Sequence, residues 1–418
     1  IYTLSLHDAL PICIKKRAED LQLYQQECLE RFGPFQSVKN RNAMWFHVVS
    51  VGETNAAQLL IEHYLKAGHP VLVTNTTKTG QARAKQLFLK APYESLFQAV
   101  YLPADQKKLV RRFIEKYQPK MLALVETELW PNLMIEADQA NVPCLLINAR
   151  LSEKSAKGYG KVPSLTQPML KSLKQLLAQD QATLARFIEL GANPHTSQVV
   201  GSIKFDIHAP DSFVQQAAQL RQDWTLHERK IITIASTHAP EEQKLLAALQ
   251  PILQQQPDLL CIVVPRHPER FDDVFVEAQK LNLRTQRRSL NQTIQPETQV
   301  YLADSMGELW LWLALSQACF VGGSLNEPGG GHNILEPIAL HVPTVLGQHY
   351  FNFQTIVDEF VAADAVVVVQ DFEQAASALV DIIQNTAKAQ ALNDAAQLIM
   401  QKNTGSLQKH IQVIDQYL

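Results

Sequence analysis

From Met44 onward, short unbroken apolar runs alternate with helix-length segments, and this rhythm constrains the fold more than any other feature. Trp45–Ser50, Val71–Thr74, Met121–Val125, Cys144–Asn148 and Gln175–Ala178 form a first series. Ile231–Ala235, Leu259–Val264, Gln299–Leu302, Ala318–Val321, Thr344–Leu346 and Ala365–Val369 form a second. Strands that stay apolar along their whole length have no solvent face, so they belong to parallel sheets covered on both sides by helices. The predicted class is therefore α/β. At 418 residues, the length allows about two to three domains. Two doubly wound units account for the two series. The boundaries expected are an N-terminal segment 1–37, a first domain 38–205, a polar linker 206–228, a second domain 229–392 and a C-terminal helix 393–418. That helix is long enough to cross back onto the first domain.

Charge and cysteine content narrow the function. Lys+Arg 38 against Asp+Glu 41 leaves a net charge of -3, which excludes a protein that coats nucleic acid but permits a local basic patch. The five cysteines are scattered, without a CxxC, and read as reduced thiols in a cytosolic setting. No run of about 18 apolar residues would span a membrane. Residues 1–12 read as translated adapter DNA, so the expectation is that a native segment has been lost upstream of about Cys13.

In open α/β sheets, ligands gather beyond the carboxyl ends of the strands, so the loops there hold the candidates. In the first, Ser50-Val51-Gly52-Glu53, Gly52 permits a tight turn. Glu53 stands at a helix start, where the helix dipole would keep it ionised and ready to accept a proton. Glu126 and Glu128 are paired acids after a strand, suited to hydroxyls or to simple capping. Arg266 and His267 lie between Pro265 and Pro268, a rigid basic end suited to phosphate or carboxylate. The strongest is the glycine-rich loop from Gly322 to Pro337. Gly323, Ser324, Gly330 and Gly331 let backbone approach a ligand there. His332 and Asn333 open an expected helix whose free N–H groups would take phosphate, and Glu336 could hold a ribose. This is neither GxGxxG nor a P-loop, and no histidine or acidic cluster has metal-ligand spacing. No metal or cofactor is expected.

Together these segments resemble the 3-deoxy-D-manno-octulosonic acid (Kdo) transferase family of lipopolysaccharide synthesis. The resemblance spans roughly residues 28–380. It includes Glu30-Arg31-Phe32-Gly33, Thr77-Lys78-Thr79-Gly80, Asn148-Ala149-Arg150-Leu151-Ser152, Gly201-Ser202-Ile203-Lys204-Phe205-Asp206, Ala235-Ser236-Thr237-His238 and Asn352-Phe353. It implies the GT-B fold, two Rossmann-like domains with an interdomain cleft, and inverting transfer of Kdo from CMP-Kdo to a lipid A precursor. It implies Glu53 as general base. Gly52, Glu126, Glu128 and Arg150 would position the acceptor. The donor would be held by Lys204, Arg266, His267, Gly323, Ser324, Gly330, Gly331, His332, Asn333 and Glu336. Ser202, Lys154, Pro240 and Gln348 depart from the family pattern without removing a proposed catalytic group.

The resemblance further implies an anchor on the cytoplasmic face of the inner membrane. Lys154, Lys157, Lys161, Lys171 and Lys174, interleaved with Val162, Leu165, Met169, Leu170 and Leu173, are expected to form an amphipathic surface for anionic lipid. The competing readings are a GT-B-shaped sugar-nucleotide epimerase and a degenerate, non-catalytic binder of lipopolysaccharide precursors.

Overall fold

A computed structural model describes residues 21–418, so the expectation about residues 1–12 lies outside the described residues. The chain divides into two compact units. The first runs to Asp206 and regains Asn403–Leu418; the second is Ile207–Lys402.

The first unit holds a parallel sheet of seven strands in the order β3-β2-β1-β4-β5-β6-β7. They are β1 (Met44–His47), β2 (Val71–Asn75), β3 (Phe97–Tyr101), β4 (Met121–Val125), β5 (Cys144–Ala149), β6 (Leu173–Ala178) and β7 (Ser197–Val199). Alternate residues enter opposite cores. Trp45, Leu72, Leu122 and Leu146 pack into one, and Phe46, Val73, Ala123 and Leu145 into the other. Both faces are dry, which is why these strands read as continuous apolar runs.

The second unit repeats the plan as β10-β11-β9-β8-β12-β13-β14. Its strands are β8 (Lys230–Thr237), β9 (Leu259–Pro265), β10 (Thr285–Arg287), β11 (Val300–Leu302), β12 (Ala318–Val321), β13 (Thr344–Gly347) and β14 (Val367–Val369). The predicted pair of doubly wound α/β units is present. In each, the chain order reverses beside the strand that opens the sheet, between β1 and β4 and between β8 and β12.

Three strands escape the periodicity argument, β3, β7 and β10, and all three are sheet edges. β7 (Ser197-Gln198-Val199) and β10 (Thr285-Gln286-Arg287) carry polar residues and lose the apolar signature, whereas β3 is buried but for Gln98.

The stretch 206–228 is not a bare linker. It contains the helix Asp211–Asp223, whose Ala217 is buried and whose Phe213 and Leu220 pack against Leu226, Ile231 and Trp312. The polar face of this helix disguises its apolar one. Nor is 393–418 one helix. Helices Thr386–Asn403 and Ser406–Ile414 are parted at Gly405, which sits at φ 89. The Asp206 carboxylate accepts the N–H groups of Gly405 and Leu407, both at 2.6 Å. Ile411, Val413 and Ile414 then join the core of the first unit.

The basic segment 153–174 also differs from expectation. Met169, Leu170 and Leu173 face the core, and of the apolar set only Val162 is exposed. Lys157 pairs with Glu153 and Lys174 with Asp138. What remains is a helical surface with Lys154, Lys161 and Lys171 exposed, not an amphipathic face.

Candidate functional site

In the first unit the loops after β1 and β4 meet at the switch point. Ser50 caps the helix Val51–Ala56, and its hydroxyl donates to Glu53 Oε1 at 3.1 Å. Glu53 Oε2 accepts the Val49 N–H at 2.7 Å. This reciprocal capping box fixes the carboxyl at the mouth of the loop. The ionisation expected from the helix dipole is opposed here by burial and by like charge. Burial, reinforced by the charges on Glu128 and Glu126, outweighs the Val49 and Ser50 hydrogen bonds and pushes the carboxyl up to about 8. Gly52 is exposed in the first turn, and a Cβ there would meet Ser50 Oγ at an unstrained 3.7 Å. The turn therefore does not require glycine.

Glu126, Glu128 and Lys204 complete this group. Glu126 has φ 64, a strained position for a side chain. Its loop is held by the backbone of Arg150, whose carbonyl accepts Thr127 Oγ1 and whose N–H reaches Glu126 O at 3.4 Å. Lys204 Nζ pairs with Glu126 Oε1 at 2.8 Å. In this structure Lys204, expected at the donor, sits with the acidic group of the first unit. Glu128 accepts Trp130 Nε1–H at 2.9 Å, and burial raises its carboxyl above the usual range. Behind it lies His47, at the end of β1, missed in the sequence because it sits inside an apolar strand.

The family motifs around this group mostly bear load rather than ligand. Glu30 accepts the Tyr101 N–H at 2.7 Å, and Arg31 donates to Thr76 O at 2.6 Å. Asn148 accepts the Ile203 N–H and gives its own N–H to His410 Nε2 at 3.0 Å, tying β5 to the last helix.

In the second unit the loops after β8, β9 and β12 converge. Gly322 is demanded by close approach, since a Cβ would lie 2.7 Å from Thr237 Cα. The next N–H groups do not face solvent. Those of Gly323, Ser324 and Leu325 donate to the Glu241 carboxylate at 2.7, 3.0 and 2.9 Å, and that of His238 does so at 3.1 Å. Glu241 is fully buried and fills the nest where a phosphate was expected. The Ser324 hydroxyl is also committed, donating to Val321 O and accepting the Gly347 N–H. Gly330 N–H goes to His349 O and Gly331 N–H to Gly323 O. Gly323, Ser324, Gly330 and Gly331 thus shape the loop, and their N–H groups are not available to a donor phosphate. Among the described residues, the N–H groups of His332 and Asn333 have no acceptor.

The helix after this loop begins at Leu335, not near His332, and the Leu335 N–H donates to Asn333 Oδ1 at 3.2 Å. Glu336 is in its first turn. His332 Nε2 lies 2.7 Å from His238 Nε2, with the rings parallel, so one proton must lie between them. His267 meets His238 edge-on at 4.9 Å between ring centroids, and Arg266 is exposed alongside. Burial and the neighbouring His238 and Arg266 lower His332 to about 3, and burial with His267 lowers His238. Both imidazoles are biased toward the neutral form. His238 and Glu241 were not assigned roles from the sequence. The signal was their position at the end of the first strand of the second series.

Residues 26–207 match the family model for 3-deoxy-D-manno-octulosonic-acid transferase (kdotransferase). The 3-deoxy-D-manno-octulosonic acid transferase of Haemophilus influenzae is 36% identical over 401 residues, covering 94% of this chain and 92% of that protein. Among solved structures, the C-terminal CMP-Kdo binding domain of WaaA from Acinetobacter baumannii is 59% identical. It is covered completely, against 46% of this chain, with a TM-score of 0.46. UDP-GlcNAc 2-epimerase from Neisseria meningitidis, bound to UDP-GlcNAc, aligns over 88% of this chain and 100% of its own. Its TM-score is 0.54 at 13% identity, a likeness of fold alone.

Proposed function

The chain belongs to the 3-deoxy-D-manno-octulosonic acid transferase family, and we propose that it moves Kdo from CMP-Kdo to a hydroxyl of a lipid A precursor, with inversion at the anomeric carbon and Glu53 as the base. The activity is glycosyl transfer in lipopolysaccharide synthesis on a GT-B scaffold. The epimerase reading is not favoured, because the likeness to an epimerase is one of fold, whereas the Kdo transferase likeness extends through the sequence of nearly the whole chain.

The observation that carries the base assignment is the Glu53 carboxyl, fixed by a capping box yet pushed up to about 8. A base of that strength holds a transferred proton well, and general base catalysis contributes about 10²–10⁴-fold. Glu53 takes the acceptor's hydroxyl proton as that oxygen bonds to the anomeric carbon. The bond from that carbon to the CMP phosphate breaks, and CMP leaves with the electron pair.

The leaving phosphate gains negative charge, which Arg266, His267 and the N–H groups of His332 and Asn333 would stabilise. The lowered His238 and His332 would take up a proton as the phosphate approaches. Glu336 would bind the ribose. Glu126 and Glu128, with Lys204 and Arg150, would orient the acceptor. Association with the cytoplasmic face of the inner membrane fits a lipid acceptor, and the exposed Lys154, Lys161 and Lys171 suit its phosphates. Among the described residues, no helix is long and apolar enough to cross a membrane.

The test is incubation of the membrane-reconstituted chain with CMP-Kdo and tetraacylated lipid A precursor. Mass spectrometry should show the acceptor gaining Kdo, and Glu53→Gln should abolish the gain. No mass increase from folded protein overturns the reading.

A further inference from the structure

His47 is a buried titratable group that the proposed chemistry leaves unused. Its side chain is completely enclosed, and its Nδ1 lies 3.1 Å from Thr74 O and 3.0 Å from Thr74 Oγ1. A carbonyl oxygen only accepts, so Nδ1 carries the hydrogen. Burial lowers the ring to about 3, so His47 is neutral and Nε2 presents a lone pair. That Nε2 has no hydrogen-bond partner. It faces Glu128 Oε2 at 4.0 Å. Trp130 packs edge-on to the His47 ring and donates its Nε1–H to the same Glu128 oxygen.

A buried acceptor without a donor costs about 1–3 kcal/mol. A carboxylate cannot relieve that cost, since it offers only lone pairs of its own. A carboxylic acid can, by turning its O–H toward Nε2. The other charged or titratable groups around the pair are Arg31, Glu53, Tyr159, and Glu126 with its Lys204 partner. With Glu126 matched by Lys204, Glu53 and Glu128 are left as two neighbouring carboxyls, and such neighbours resist ionising together.

We propose that Glu128 holds the proton this cluster retains at neutral pH, donating it in a hydrogen bond to His47 Nε2, so that Glu53 remains the carboxylate that receives the acceptor's proton. His47 is then a positioning residue that decides which carboxyl is the acid. The inference rests on the reading of Glu53 as base. Repulsion from a charged Glu128 helps push the Glu53 carboxyl up. With Glu128 protonated, Glu53 ionises at lower pH.

The experiment is a ¹³C-carboxyl NMR titration of the full chain, alongside the pH profile of kcat/KM. In the unaltered protein, Glu128 should titrate above pH 7 and above Glu53. His47→Asn keeps an amide near the Nδ1 position and deletes the Nε2 acceptor. It should move the acid limb of kcat/KM up by about half a pH unit or more. His47→Gln, which restores a polar atom near the Nε2 position, should bring the limb back. Glu128→Gln, which keeps a neutral group at that position, should leave the limb where it is, and adding His47→Asn to it should change nothing further. Glu128 ionised at pH 7 in the unaltered protein overturns the proposal. So does a His47→Asn displacement that persists undiminished beside Glu128→Gln. Failure of the base reading looks different: Glu53→Gln would remain active, whatever the NMR titration says about Glu128.

Discussion

Glu53 in the first unit and Glu241 in the second both stand at the start of the helix that follows the strand at the switch point, β1 and β8. Their fates are opposite. Glu241 is fully buried and satisfied by four backbone N–H groups from two loops. Glu53 has one backbone N–H and one hydroxyl, with two carboxyls nearby, and its own carboxyl is pushed up to about 8. The same residue at the same topological point organises a loop in one unit and is a crowded, raised carboxyl in the other. The number of donors facing it decides which. Where donors are plentiful, the carboxyl is committed to holding backbone in place. Where they are scarce and like charges crowd in, the carboxyl is poised to gain and lose a proton.

Removing each glutamate should break different things. Glu53→Gln should lower kcat by about 10²–10⁴-fold, measured as Kdo transfer. Its stability should move the other way. A carboxyl whose folded value lies above its unfolded value binds more protons when folded, so it costs stability as pH rises from the unfolded value through about 8. Chemical denaturation at pH 8–9 should find Glu53→Gln as stable as the unaltered chain or more so. Glu241→Ala should do the reverse. It leaves four inward N–H groups without an acceptor, at about 1–3 kcal/mol for each group left unsatisfied. Denaturation should show a loss of roughly 3 kcal/mol or more, with CMP-Kdo binding lost because the loop collapses. A Glu241→Ala protein of unaltered stability would sink the comparison.

These contrasts mark how far the sequence could be read. The two doubly wound units were legible because every central strand is dry on both faces. The edge strands β7 and β10 were not, because a half-solvated strand mixes polar residues into the run. The loops carrying Glu53, Glu126, Glu128, Arg266 and the glycines were legible because each follows a strand end. Their partners were not. Nothing in the spacing says that Glu241 reaches across 82 residues to the Gly323 N–H, or that Lys204 folds onto Glu126 and not onto a phosphate. Glycines were read as room for a ligand, yet Gly322 makes room for the protein's own backbone. Tertiary pairing of charges and N–H groups is long-range information, and local pattern does not carry it.

A smaller effect separates the imidazoles of the second unit from the carboxyls of the first. His332→Ala removes one half of the 2.7 Å imidazole pair and leaves Glu241 and its nest intact. The expected result is a KM for CMP-Kdo raised about tenfold, near 1.4 kcal/mol, with kcat changed far less than in Glu53→Gln. Equal losses in both variants would mean that the acid–base chemistry is spread across both units.

The smallest effect is the sharpest on the acceptor side. Gly52 sits in the first helical turn beside Glu53, with an ordinary backbone and room for a methyl group. On conformational grounds alone, alanine is the better residue by up to about 1 kcal/mol. Gly52→Ala should therefore keep or raise the melting temperature. If the open space above this turn is where the acceptor hydroxyl reaches Glu53, the methyl group obstructs it. KM for the lipid acceptor should then rise severalfold while KM for CMP-Kdo stays put. A rise in both would place the donor against the same turn. No rise in either would leave the glycine without a functional reason and weaken the case that acceptor binds here.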